Sequence, residues 1–128
     1  MLEVMEKFEM EFTVNTSPKI LYYRILNPAG LEEWFADKVN ADKGIYTFEW
    51  ENSQQQAKLL DKSKNDFVRY KWLDSDGDDS FFELKIVQQE VTGDVGLRIT
   101  DFAENGEKES IRELWEEQME QLKHNLGV

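Results

Sequence analysis

Trp34, Phe35, Phe48, Trp50, Tyr70, Trp72, Phe82, Trp115 and Met119 supply large apolar faces, and Asp101 a carboxylate; together they are the residues able to line a binding cavity. Rings of this size bury much area, and an apolar wall with a few polar anchors is what a small-molecule site requires. The plainer reading is that the same rings fill a core at ordinary density. Asp101 continues the alternation of Val95, Leu97 and Ile99, which points its carboxylate to the inner side. A bulge, or a strand that ends there, is the duller alternative. Asp74-Ser75-Asp76-Gly77-Asp78-Asp79 suggests a calcium loop, but its sixth position is Asp79 instead of glycine and its twelfth is Lys85 instead of glutamate. A hairpin turn on Asp76-Gly77 accounts for it better. The single histidine, His124, falls in the last turn of a helix, where the dipole favours it. No Ser/His/Asp set, phosphate-cradling glycine loop or cysteine is present, so catalysis, a cofactor and a metal site find no apparatus here.

The 128 residues carry 27 acidic and 15 basic side chains, a formal charge of -12. Nucleic acid and anionic lipid surfaces would be approached against repulsion. Hydrophobic residues at 40% are enough for one core, and no linker or repeat divides the chain, so residues 1–128 are expected to form one domain. The start, Met1 to Phe12, is interrupted by Glu3, Glu6, Lys7, Glu9 and Glu11, and no run of about 18 apolar residues occurs. A cytoplasmic protein without a membrane span is the expectation.

The elements that position these residues follow from periodicity. Phe8, Met10, Phe12 and Val14 alternate with polar residues as a half-buried strand does. Ser17-Pro18 is an N-cap followed by a proline at the first helical position, which predicts a helix to about Leu26; Pro28 stops it and starts a second through Leu31, Trp34 and Phe35. The period then changes to two. Five strands are expected, around Tyr46–Trp50, Ala57–Leu59, Val68–Trp72, Phe82–Ile86 and Val95–Ile99, with Val39 in an extra short one. Turns at Asn52-Ser53, Lys64-Asn65, Asp76-Gly77 and Thr92-Gly93 imply antiparallel neighbours. Ile111, Leu114, Trp115, Met119, Leu122 and Leu126 form one stripe on a helix from Glu107 to Leu126, long enough to cross the sheet. Its other face carries Glu107, Glu109, Glu113, Glu116, Glu117 and Glu120, a solvated face or a dock for a basic partner.

This order of strand, two short helices, antiparallel strands and a long last helix resembles the START-like (SRPBCC) superfamily, an α+β helix-grip fold with a curved sheet of six to seven strands wrapped on a C-terminal helix. "SPKILYYRILNPAGLEEWF" (Ser17 to Phe35) and "LWEEQMEQLKHNL" (Leu114 to Leu126) resemble the opening and closing helices of its branch named for the activator of the heat-shock-protein-90 ATPase. The resemblance implies a cavity between sheet and long helix. A small apolar or amphipathic ligand held there is the first expectation; a protein-interaction or co-chaperone-like module acting through its acidic surface is the second. A cyclase-like reaction would need Asp101 inside. The edges of such sheets can pair, which allows a homodimer.

Overall fold

A computed structural model describes residues 5–75 and 77–128. Strand β1 (Glu6–Thr13) leads into helices α1 (Pro18–Leu26) and α2 (Pro28–Leu31). Strands β2 (Lys38–Asp42), β3 (Ile45–Trp50), β4 (Ser53–Ser63), β5 (Phe67–Trp72), β6 (Phe82–Gln88) and β7 (Val95–Ala103) follow, and helix α3 (Lys108–Leu126) ends the chain. All seven strands form one antiparallel sheet in the order β1-β7-β6-β5-β4-β3-β2. The order is a meander closed by β1 on β7, the α+β helix-grip arrangement expected. No helix among the described residues is long and apolar enough to cross a membrane.

Local chemistry sets the helix ends. The Ser17 side chain accepts from the Ile20 N–H at 3.2 Å, capping α1, and Pro18 sits where its missing N–H is harmless. The second helix is shorter than its sequence pattern suggests: it stops at Leu31, and Trp34 and Phe35 lie in the turn that follows. Gly30 explains how tightly α2 folds onto α1, since a Cβ there would stand 2.3 Å from the Tyr23 carbonyl oxygen. At the far end of the chain Gly127 adopts φ 75°, the left-handed cap that closes α3.

The connections depart from expectation in two places. The β3–β4 turn is Glu51-Asn52, one residue earlier than anticipated, because pairing reaches Trp50↔Ser53. The expected tight turn on Asp76-Gly77 involves Asp76, which lies outside the described residues. The surrounding link is a longer one, with a 3₁₀ turn at Leu73–Ser75; Lys71 Nζ donates to the carbonyls of Asp78 and Ser80, both at 2.8 Å. Within β4 the register against β5 shifts between Leu59 and Asp61, and Leu60 between them is exposed.

The concave face holds the core. Phe8, Met10, Tyr46, Phe48, Ala57, Val68, Tyr70, Phe82, Leu84, Leu97 and Ile99 are buried beneath Leu21 and Ile25 of α1 and Trp115, Met119 and Leu122 of α3. Leu114, assigned by periodicity to the buried stripe of α3, is 56% exposed instead.

Because Pro28 forbids another turn of α1, its last carbonyls have no helical donors. Three aromatic side chains supply them. Trp34 Nε1 donates to the Arg24 carbonyl at 2.9 Å, the Tyr70 hydroxyl to Ile25 at 2.6 Å, and the Tyr46 hydroxyl to Leu26 at 2.7 Å. Burial raises the pKa of both tyrosines, most strongly that of Tyr70, which keeps them as donors.

Candidate functional site

Beyond the reach of α1 the concave face opens. Trp50 at the end of β3 and Trp72 at the end of β5 are only half-buried, although they continue the alternation of fully buried Phe48 and Tyr70. With Phe35, Trp115, Ile111 and Leu114 they wall a hollow of about 450 Å³ between the sheet and the first half of α3. That volume lies in the range of small-ligand sites, about 300–1,000 Å³. Ser53, Gln55, Ser75, Ser80, Gln118 and Asp101 add polar edges, and Met5, Phe81 and Phe102 also border it.

The walls are held by backbone anchors. The Phe35 carbonyl accepts from Trp50 Nε1 at 2.9 Å and from Gln118 Nε2 at 3.1 Å, so one peptide unit ties β3 and α3 to the turn after α2. The Phe35 ring stands edge-on to Trp50, with centroids 5.9 Å apart, and stacks on Trp72 at 6.4 Å. Such pairs add about 0.5–1.5 kcal/mol beyond the area they bury.

Asp101 faces the hollow. The strand neither bulges nor ends before it: Asp101 pairs with Phe8 in unbroken register and β7 runs on to Ala103. Its Oδ2 accepts from Trp115 Nε1 at 2.8 Å and its Oδ1 from the Phe102 N–H at 2.7 Å. Burial raises its pKa above the ordinary carboxyl value, while the Trp115 and Phe102 hydrogen bonds pull in the opposite direction. A desolvated carboxylate aimed at an apolar cavity can recognise a cation or, when protonated, donate a hydrogen bond.

Of the ten residues singled out from sequence, Phe35, Trp50, Trp72, Asp101 and Trp115 border the hollow. Phe48, Tyr70, Phe82 and Met119 lie in the packed layer, each no more than 1% exposed. Trp34 is engaged with the end of α1 and borders a second, acidic groove of about 740 Å³ beside α3, which also carries Glu32, Glu33, Asp37, Glu117 and Glu120. Ile111, Leu114 and Gln118 were not anticipated as lining residues. Their signal was present, since all three fall within one helical turn of Trp115. Among the described residues no group of three metal-ligating side chains is gathered.

A START-like superfamily domain matches residues 1–128. A solution structure of a Bacteroides fragilis protein is 40% identical, with a TM-score of 0.68, covering 99% of this chain and 94% of that one. A crystal structure of a Mesorhizobium loti protein shares 15% identity at a TM-score of 0.77, over 95% of this chain and 97% of its own. The Aha1 dimer of Colwellia psychrerythraea, also solved in solution, shares 13% identity at a TM-score of 0.77, over 92% and 93% of the two chains. No curated protein matches the chain. The closed meander, the long helix across it and the match over the whole length agree: the chain belongs to the START-like superfamily.

Proposed function

We propose that this protein binds a small amphipathic molecule in the hollow beneath α3, without catalysing a reaction on it. The observation that supports this reading most is the interruption of packing at Trp50 and Trp72: the aromatic ladder continues, yet its last rings are left facing a cavity. Covering apolar area on such walls is favourable by roughly 25 cal/mol per Å². Purified protein should therefore show ligand-dependent melting shifts and changes in tryptophan emission across a library of small amphiphiles. A library without a single hit by either readout would refute the reading.

A second reading, a protein-interaction module, draws on the acidic groove beside α3, to which the turn after α2 brings Glu32, Glu33 and Asp37 opposite Glu117 and Glu120. It expects a basic partner whose capture weakens with Glu117→Lys and with rising salt. Capture indifferent to both would leave the hollow as the sole functional surface of the account.

A further inference from the structure

The hollow has one sign of charge. Among its described lining residues Asp101 is the sole ionisable side chain, and the rest are aromatic, aliphatic, hydroxyl or amide groups. A fatty acid or other anionic head group would find no lysine, arginine or histidine there to offset its desolvation. It would also meet the carboxylate itself.

The carboxylate is, by contrast, set up to receive a cation. Its two oxygens offer about four acceptor positions. Trp115 Nε1 and the Phe102 N–H take one each, fixing the group's orientation while leaving acceptor capacity toward the cavity. The same hollow is walled by the rings of Trp115, Trp72 and Trp50, and aromatic faces carry the negative lobe of the ring quadrupole, which attracts cations within about 6 Å. Outside, the formal charge of -12 and the adjoining acidic groove draw cations toward the mouth. Charge, ring faces and steering field all select the same kind of ligand.

Resting on the ligand-binding reading above, we propose that the hollow takes an organic amine: a protonated primary or secondary ammonium on an apolar body, with Asp101 as its counter-ion and the tryptophans around the body. Such a counter-ion separates amines from the alcohols and acids of equal size that an apolar hollow alone would not distinguish.

The test compares three probes of matched skeleton, 4-phenylbutylamine, 4-phenylbutanol and 5-phenylpentanoate, by isothermal titration on the full chain. The amine should bind about ten to a hundred times more tightly than the alcohol, the range expected of a charge-assisted hydrogen bond, and the acid weakest. Asp101→Asn should bring the amine down to the alcohol's level and leave the alcohol where it was, which also shows that the hollow has survived the substitution. Glu109→Gln, which removes an exposed charge in the first turn of α3 that does not line the hollow, should preserve the preference; loss of the preference there would assign it to net charge and overturn the role of Asp101. Equal binding of amine and alcohol, or tighter binding of the acid, would overturn the amine inference while the ligand-binding reading stood. Binding of none of the three would overturn the amine inference, and the ligand-binding reading would fall with it only if the amphiphile library were silent as well. Should Asp101→Asn fail to fold, the ranking on the unmodified protein decides between amine and neutral ligand by itself.

Discussion

On β3 and β5 the alternations Tyr46, Phe48, Trp50 and Val68, Tyr70, Trp72 run without interruption, yet their two ends have different fates. Toward α1 the rings are buried and their hydroxyls occupy the carbonyls that Pro28 strands at the helix end. Toward the first half of α3 the rings are half-buried and face a cavity of about 450 Å³. Identical periodicity therefore yields a sealed wall in one place and an open one in the other. The difference lies in what covers the sheet: α1 lays Leu21 and Ile25 against one end, while α3 offers the other a tryptophan held by a carboxylate.

Substitutions should separate the two ends. The largest effect is expected from Phe48→Ala, which empties the sealed end and should lower stability by about 3–5 kcal/mol in urea unfolding. Next comes Tyr70→Phe, which leaves the buried Ile25 carbonyl without its donor and should cost about 1–3 kcal/mol, with ligand titrations unchanged once the protein is folded. If Tyr70→Phe instead abolished binding at unchanged stability, the sealed end would be part of the site.

A smaller, pH-dependent effect belongs to Asp101. Its folded pKa is raised above 3.8, so the folded state holds the proton more tightly, and stability is lost as pH rises from about 3.8 through the raised value. Asp101→Asn removes that loss: relative to the variant, the unmodified protein should weaken across this window and then level off. No charged group contributes to the shift. From the neighbouring elements Phe8 of β1 and Trp115 of α3 face Asp101, and the cations Lys108 and Arg112 of α3 stand over the Phe8 ring at 5.8 and 5.9 Å. A flat difference between variant and unmodified protein over the pH series would show a solvated Asp101. The smallest effect is Leu114→Ser, expected to change stability by less than about 0.5 kcal/mol because the side chain is 56% exposed, yet to weaken retention of an apolar ligand at the mouth.

Much of this was legible in the residues. Alternation located the strands, Ser17-Pro18 and Pro28 marked helix ends, and the Val95, Leu97, Ile99 period aimed Asp101 inward, although a strand end was the plainer expectation. What periodicity could not separate was a ring that lines a hollow from one that fills a core, because both lie on the same face. Tyr70 and Trp34 show why: their roles depend on carbonyls at Ile25 and Arg24, 45 and 10 residues away, that lack partners only because of Pro28. A donor-bearing ring opposite a proline-terminated helix is a usable sign of such a clamp. Leu114 escaped the stripe for the complementary reason, since the cavity leaves that side of α3 without a surface to pack on.

The most direct measurement follows the four indole N–H resonances by NMR while 4-phenylbutanol is added. Three of them belong to rings at the hollow, Trp50, Trp72 and Trp115, and the fourth, Trp34, is bonded to the end of α1. The account predicts saturable shifts of Trp50, Trp72 and Trp115 with Trp34 unmoved; four stationary resonances, or movement of Trp34 alone, would contradict it.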